Sequence, residues 1–346
     1  MSHDAVLERA APPAAGVGTR RAPWVRSAAD LAAKALRAGS LAVCLSVLAW
    51  FAIAAPAFLS PVNIGLILSQ SAVLGILGLG LTLVLITGGT DVITGGIDLS
   101  LAGTLGLSAA IFAVTTQAGW SDPAAVATAL AAGLAVGAVN AVAVLLLGIP
   151  PLLATLATMN VAAGLELVLT QNATIPAVSP LVDWLGGSGL FGVPVTGWVL
   201  VVLSVLLAAG LGLSRIGLRA AAVGGHREAA EAAGLPVRLY LAGSYLASGL
   251  FGGLAGLVSA AFLNGSTPGS ADMLLPTVAT AFLGVVFSRR LVPTVLGTFG
   301  AAVFLGALTN GFQLLHASTY WVNGIEGALI LAVVGATSGL ARELRR

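Results

Sequence analysis

The sequence has very few charged residues, and its basic residues are confined to short segments. Only 8% of the residues are charged, 58% are hydrophobic, and the mean hydropathy is +1.03. No Lys or Arg occurs between Arg37 and Arg215. A soluble protein of this composition would not have enough polar surface to cover its core. The sequence therefore predicts an integral membrane protein.

Residues that carry chemistry are also scarce. The single cysteine, Cys44, excludes internal disulfides and a Cys-rich metal site. The histidines, His3, His226 and His316, are too scattered in the sequence for a metal site. Lys34 is the only lysine and follows an alanine, so the sequence has no G-K-[ST] phosphate loop. We therefore expect a non-enzymatic chain with no catalytic residue, no metal and no cofactor of its own.

The few basic residues indicate which loops face the cytoplasm. They occur in an Arg-rich head, in two islands and in the tail; the islands and tail contain Arg215, Arg219, Arg227, Arg238, Arg289, Arg290, Arg342, Arg345 and Arg346. Cytoplasmic loops carry an excess of such residues. The net charge of +2 is spread over these flanks and forms no basic patch, so we expect no nucleic acid partner.

Apolar runs near the ~20 residues that a bilayer requires predict about ten transmembrane helices. They lie at 41–59, 62–86, 97–118, 124–147, 150–170, 195–214, 240–263, 274–288, 293–314 and 320–340. An N-terminus in the cytoplasm then places both Arg islands and the C-terminus there. The run at 274–288 is short and could be half-buried or re-entrant. The prediction is an all-α polytopic bundle with a disordered cytoplasmic tail (1–38), a transmembrane domain (39–341) and a cytoplasmic C-terminal tail (342–346).

Glycines at four-residue spacing predict close helix packing. The pairs are Gly133 with Gly137, Gly249 with Gly253, and Gly252 with Gly256. Small residues at this spacing let helix backbones approach each other in a membrane. With 45 glycines in the chain, a single pair could also arise by chance.

A duplicated element lies between the second and third predicted spans. Ile86–Val92 reads I-T-G-G-T-D-V, and Ile93–Leu99 reads I-T-G-G-I-D-L. The glycines, including Gly95 and Gly96, predict a helix break that could line a pore. Asp98 could cap the third helix or take part in ion or substrate coupling, and both interpretations stay open.

Other polar residues within predicted spans are mostly uncharged. They are Gln70, Thr82, Asn140, Asn160, Glu166, Asn310 and Glu326. Such residues can form interhelical hydrogen bonds, or line a path for a neutral polar solute. Glu166 and Glu326 lie near predicted outer ends, where an interfacial position explains them. The longest polar segment on that outer side is Gln171–Thr196, which we expect to be structured.

The loop after the sixth span contains a short Ala-rich helix. Glu228 lies near its N-terminus, where the helix dipole favours an acid, and Gly234 and Pro236 end it. The sequence Glu228-Ala229-Ala230 followed by Gly234 resembles the E-A-A-x-x-x-G coupling loop of ABC importer permeases.

Three further stretches are similar to the permeases of ribose-, xylose- and galactose-type ABC importers. They are Asn63–Gly89, Gly95–Ser100, and Gly297–Leu315 followed by Tyr320-Trp321. The resemblance spans roughly residues 60–340 and implies a type II ABC importer-like fold in the inner membrane. It implies import of a monosaccharide or polyol by a homodimer, with a cytoplasmic ATPase that binds ATP and Mg²⁺ and a periplasmic substrate-binding protein as partners. Membrane lipid surrounds such a permease.

The resemblance assigns Glu228, Ala229, Ala230 and Gly234 to coupling with the ATPase. Our candidates for the translocation path are Gln70, Gly95, Gly96, Asp98, Asn160 and Asn310.

The chain departs from that family pattern in three places. It carries the extra copy that ends at Val92, it has Ala163 where an Arg is common, and it has Val285–Val292 where a Gly-rich loop is usual. Three alternatives remain. They are a permease for branched-chain amino acids or nucleosides, an ion-driven secondary transporter that uses Asp98, Glu166 or Glu326, and a passive scaffold subunit.

Overall fold

The computed structural model describes residues 23–89, 96–288 and 291–317, with residues 321, 324, 325, 327 and 328. It is almost entirely helical. The helices are α1 (Pro23–Ala54), α2 (Pro61–Gly88), α3 (Leu101–Gln117), α4 (Asp122–Leu145), α5 (Pro151–Thr170), α6 (Pro180–Gly186), α7 (Val195–Leu213), α8 (Arg215–Gly225), α9 (Arg227–Ala232), α10 (Val237–Leu263), α11 (Leu274–Phe287) and α12 (Val295–Leu314). Two short strands, β1 (Ile175–Pro176) and β2 (Gly265–Ser266), form an antiparallel pair. 3₁₀ turns occur at Leu190–Gly192 and Ser270–Met273.

The helices confirm the prediction of an all-α multi-pass membrane protein. Within the described residues, eight helices are long and apolar enough to cross a membrane, and α3 is a shorter apolar helix. These nine correspond to the first nine predicted spans. The tenth, at 320–340, lies largely outside the described residues. Helix α1 begins at Pro23, within the segment predicted as a tail. The end of that segment and the first span form one continuous helix.

Helix α11 is the short span that the sequence indicates. It has 14 residues, which at 1.5 Å per residue reach ~21 Å. The 3₁₀ turn at Ser270–Met273 precedes it directly and extends the apolar helical segment to 18 residues. The turn therefore supplies part of the length that the helix lacks.

Helix α2 lies at the centre of the bundle. Leu77, Leu79 and Leu81 have no exposed surface, although they lie on different sides of the helix. Helices α3, α7, α10, α11 and α12 all pack against α2. Burial on every side is expected for a helix that is apolar on every side. Helices α1, α4, α5 and α7 lie at the periphery and expose much more of their surface than α2 does.

Glycines produce a close helix contact between α4 and α10. A Cβ atom at Gly133 would overlap the carbonyl oxygen of Gly249, and one at Gly249 would overlap that of Gly133. On the other side of α10, Gly252 and Gly256 pack against α3. The predicted small-residue contacts are confirmed, and they fix α10 between α3 and α4.

The segment between α5 and α7 is structured, as predicted. It contains β1, α6 and the 3₁₀ turn at Leu190–Gly192. Pairing of β1 with β2 joins this segment to the end of α10. In addition, Asp122 at the start of α4 accepts a hydrogen bond from the N–H of Leu181, with an N–O distance of 3.0 Å.

Candidate coupling and translocation sites

Helix α9 contains Glu228, Ala229 and Ala230 of the candidate coupling motif, and Gly234 follows the helix. The side chain of His226 caps the helix, because its Nδ1 atom accepts a hydrogen bond from the N–H of Ala229 at 3.3 Å. Gly234 has φ +80°, the left-handed conformation expected at the end of the helix. Glu228, Ala229 and Gly234 are exposed, so a partner protein could reach them.

Ala230 attaches α9 to the transmembrane helices. It is the buried residue of α9 and packs with Val223 of α8 and with Val237 and Leu241 of α10. Leu145, at the end of α4, packs against the same cluster. The motif therefore has one residue inside the bundle and the others on the surface.

Helix α8 links the coupling motif to the helix break. A Cβ atom at Gly224 would overlap the carbonyl oxygen of Ile86, so the end of α8 lies directly on the end of α2. Leu145 also packs against a second cluster, formed by Val84 of α2 and Tyr245 of α10. The two clusters share Leu145 and connect α9 with the segment that contains Asp98.

Asp98 lies in a buried polar network between three segments of the chain. Its Oδ1 atom accepts hydrogen bonds from the N–H of Ser100 at 3.0 Å, from the hydroxyl of Ser100 at 2.6 Å, and from Nδ2 of Asn140 at 3.2 Å. Nδ2 of Asn140 also donates to Oγ of Ser100 at 2.7 Å. Ser248 of α10 lies beside the carboxylate. The network joins the start of α3 to α4 and α10.

The interpretation that Asp98 caps the first turn of the third helix is wrong. The residue that precedes α3 is Ser100, whose side chain makes no capping bond to the helix. Asp98 binds the N–H of Ser100 and not those of the first helical turn. Its Oδ2 atom has no hydrogen-bond partner among the described residues.

Glu166 lies near the end of α5 and is buried inside the protein. Only 1% of its surface is exposed, and its carboxylate accepts a hydrogen bond from the hydroxyl of Ser270. Gly106 of α3 leaves the space for this pair, since a Cβ atom there would overlap both side chains. The turn at Ser270–Met273 packs against α3 and α5 and covers the carboxylate, which no local sequence pattern indicates. The position of Glu166 at the membrane interface stays a prediction.

Two path candidates, Gln70 and Asn310, make hydrogen bonds between α2 and α12. Asn310 accepts a bond from Nδ2 of Asn63 at 2.8 Å, and both residues are buried. Nε2 of Gln70 donates to Oε1 of Gln313 at 3.0 Å, where Gln313 is exposed. The sequence reasoning had missed Asn63 and Gln313 as partners, because they lie some 240 residues along the chain from their partners.

Asn160 differs from the other path candidates because it is exposed on α5. Its amide donates only to the carbonyl of Leu156 in its own helix, at 2.8 Å. A polar side chain is therefore exposed on the side of α5 that faces away from the bundle. Gly95 lies outside the described residues, while Gly96 packs against Val84 and Gly88 of α2.

The buried charges lack cationic partners. No Lys or Arg contacts Asp98 or Glu166 among the described residues, and their hydrogen-bond donors are hydroxyl, amide and backbone groups. Within the same residues, no group of three or more His, Cys, Asp and Glu side chains could hold a metal ion. The polar groups inside the bundle are therefore mostly neutral donors and acceptors.

Comparison with known proteins gives a consistent result. Residues 63–334 match the family model described as the permease component of the branched-chain amino acid transport system. The ribose import permease protein RbsC of Escherichia coli (strain K12) is 32% identical over 302 residues, which cover 85% of this chain and 91% of that protein. RbsC of Bacillus subtilis (strain 168) is 31% identical, over 81% of this chain and 85% of that protein. The autoinducer 2 import system permease protein LsrC of Salmonella paratyphi B (strain ATCC BAA-1250 / SPB7) is 28% identical, over 84% and 83%.

No solved structure matches the chain at a significant level. The family implies a partner ATPase and a substrate-binding protein, and its members are transport components, not enzymes. With its membrane-spanning helices and its match over residues 63–334, the chain belongs to this family of ABC permease components and is a multi-pass protein of the inner membrane.

Proposed function

We propose that this chain is the permease subunit of an ABC importer for a monosaccharide or a similar neutral polyol. It works as a homodimer with cytoplasmic ATPase subunits and a periplasmic binding protein. ATP and Mg²⁺ act on the partner, because the sequence of this chain contains no phosphate-binding loop. The chain itself needs no cofactor.

The observation that carries the proposal is the arrangement of α9. Its motif is exposed at Glu228 and Ala229, while Ala230 is buried against the ends of α4, α8 and α10. A partner that moves α9 would therefore move the ends of these helices. Such a geometry favours transmission of an ATP-driven movement over a passive surface helix.

The contacts around Leu145 suggest how that movement reaches the bundle. Leu145 packs against the cluster of Ala230 and against the cluster of Val84 and Tyr245. Asn140, on the same helix, holds Asp98 next to the helix break. ATP binding in the partner would shift the population between outward-open and inward-open arrangements by displacing α4 and α10 together.

The substrate assignment rests on the relatives and on the polar groups of the spans. The relatives named above are import permeases for ribose and autoinducer 2. The side chains that could face a path, Gln70, Gln313 and Asn160, are neutral amides, which suit hydroxyl groups of a sugar. Of these we favour Asn160 for the path, since its amide points away from the helix packing.

The structured outer segment would receive the binding protein. Segment Gln171–Thr196 is tied to the bundle through β1 and β2 and through the contact of Leu181 with Asp122. A docking protein would thus press on α4 and α10, the same helices that α9 reaches from the other side.

A secondary transporter is the second candidate, because Asp98 and Glu166 are buried carboxylates. Intramembrane acids often serve ion coupling. The two lie in separate networks, one with Asn140 and one with Ser270, and no further acid connects them among the described residues. The importer therefore accounts for more of the structure.

Affinity purification of the tagged permease from its native membranes tests the proposal. We expect an ATPase subunit to co-purify with the wild type and to be lost with Glu228→Lys. Glu231→Lys is the matched control, since Glu231 is exposed on the same helix and undergoes the same charge change but is not a fixed position of the motif. An ATPase that remains bound in the Glu228→Lys variant would refute the coupling role.

A further inference from the structure

A cavity of about 570 Å³ lies at the cytoplasmic end of the bundle. Its walls come from α1, the ends of α2, α7 and α11, part of α8, and the first turn of α12. All these positions lie on the side that the basic residues assign to the cytoplasm. The cavity is separate from the exposed face of α9 and from the path candidates.

One side of the cavity is polar and carries a positive charge. Arg37 lines it, and the buried Nε atom of this guanidinium has no hydrogen-bond partner among the described residues. The hydroxyl groups of Ser288 and Thr294 also line the cavity. An arginine is always charged and presents five N–H donors, so an unpaired Nε in a buried position calls for an acceptor.

The start of α12 adds to this positive end. Val295 and Leu296 belong to its first turn and line the cavity. The first N–H groups of a helix have no partner within the helix and favour an anion. In α12 the hydroxyl of Thr294 already accepts a hydrogen bond from the N–H of Gly297, so the N–H groups of Val295 and Leu296 are the ones that remain. This contribution supports the charge of Arg37 and would not define a site without it.

The other side of the cavity is apolar. Leu211, Phe287 and Leu296 line it, together with the small residue Ala208. A free anion would leave this apolar surface uncovered. A molecule with an anionic head and a hydrocarbon tail would fill both sides.

We propose that this cavity binds the head group and upper acyl chain of an anionic phospholipid from the cytoplasmic leaflet. The phosphate would accept hydrogen bonds from Arg37 and from Ser288 or Thr294, and the acyl chain would lie against Leu211 and Phe287. Basic pockets between transmembrane helices on the cytoplasmic side bind anionic lipid head groups in this way. Because α8 forms part of the wall, the bound lipid would brace the helix that connects α9 to α2.

Native mass spectrometry of the full-length protein in detergent tests this proposal, with dioleoyl phosphatidylglycerol as the probe. We expect one tightly retained lipid in the wild type and about tenfold weaker retention in Arg37→Gln, the effect of losing a hydrogen bond to a charged group. Ala208→Phe, which fills the apolar side, should weaken retention without changing any charge. Arg238→Gln is the matched control, because Arg238 is exposed at the start of α10 and does not line the cavity.

Further measurements distinguish between the possible ligands of the cavity. Dioleoyl phosphatidylcholine should be retained less than phosphatidylglycerol, and millimolar inorganic phosphate should not displace the bound lipid. Equal retention by the wild type and both cavity variants would overturn the proposal. Displacement by inorganic phosphate, with no effect of Ala208→Phe, would show a phosphate site and would also overturn it. Size-exclusion profiles establish that each variant is folded. If Arg37→Gln does not fold, Ala208→Phe still tests the proposal.

Discussion

At the scale of single residues, some polar side chains inside the spans form hydrogen bonds between helices. Thr82 and Thr298 share a hydrogen bond of 2.6 Å between α2 and α12, and Asn63 binds Asn310 between the same helices. An unpaired polar group in a bilayer costs several kcal/mol, so each pair fixes the position of one helix along another. Asn160 instead bonds within its own helix and is exposed, and this exposure is why we propose it for the path.

Replacement of Asn140 should show how much the Asp98 network stabilises the fold. Asn140→Leu removes the amide that donates to Asp98 and to Ser100 and leaves a buried carboxylate with one donor fewer. We expect the free energy of unfolding in detergent to fall by about 2 kcal/mol. Asn160→Leu is the matched control and should change it by less than about 0.5 kcal/mol. Equal losses in the two variants would show that the network contributes nothing specific.

A cysteine at position 160 should report whether that face of α5 lines an aqueous path. The natural Cys44 is buried, so it gives little background and can be replaced by Ala. We expect a membrane-impermeant thiol reagent to label Asn160→Cys, and the periplasmic binding protein with substrate to change the labelling rate. Val205→Cys, on the exposed apolar face of α7, should stay unlabelled. Protection of residue 160 under all conditions would place that face against lipid or a second subunit.

The hydrogen-bond partners of the buried polar residues could not be predicted from the sequence. Asp98 and Asn140 are 42 residues apart, and Glu166 and Ser270 are 104 residues apart. Local spacing could identify these residues as polar groups in apolar runs, but only the packing of α3, α4, α5 and α10 decides which of them meet. The burial of Glu166 is not predictable from its neighbours in the chain, since none of them indicates the turn that covers it.

Most transmembrane helices were predictable to within a few residues because the bilayer imposes their length. Helix α1 is an exception, since it begins at Pro23 and the predicted span begins at residue 41. Helix α5 was expected at 150–170 and is Pro151–Thr170, and α7 was expected at 195–214 and is Val195–Leu213. Prolines at the helix starts and long apolar runs define such limits. The pairing of β1 with β2 was not foreseen, since strands of two residues leave no periodic pattern.

The contact of α4 with α10 gives a prediction at the scale of elements. Gly249→Ala places a methyl group against the carbonyl oxygen of Gly133, and overpacking of this kind costs about 1–3 kcal/mol. Gly243→Ala on the same helix meets nothing within 4 Å and should leave stability unchanged or raise it by up to ~1 kcal/mol. Thermal unfolding in detergent measures both. If the two variants unfold at the same temperature, the close glycine contact does not determine the packing.

At the scale of the whole molecule, the exposed helix α9, which we propose for coupling, and the structured segment Gln171–Thr196 lie at opposite ends of the long helices. Helices α4 and α10 connect the two, and α2 lies at the centre. Composition was enough to predict the membrane class. The orientation that the basic residues indicate stays a prediction. The substrate and the number of permease copies depend on surfaces that contact other proteins. The sequence of one chain does not define those contacts.

Transport by the complete complex in liposomes tests the central claim most directly. The permease is reconstituted with its ATPase and its binding protein, with ATP either present or absent on the ATPase side, and the uptake of labelled ribose and of other monosaccharides is measured. The account predicts uptake that requires ATP and the binding protein, persists when ion gradients are collapsed, and is abolished by Glu228→Lys. Uptake by the permease alone that follows an ion gradient and ignores ATP would contradict it.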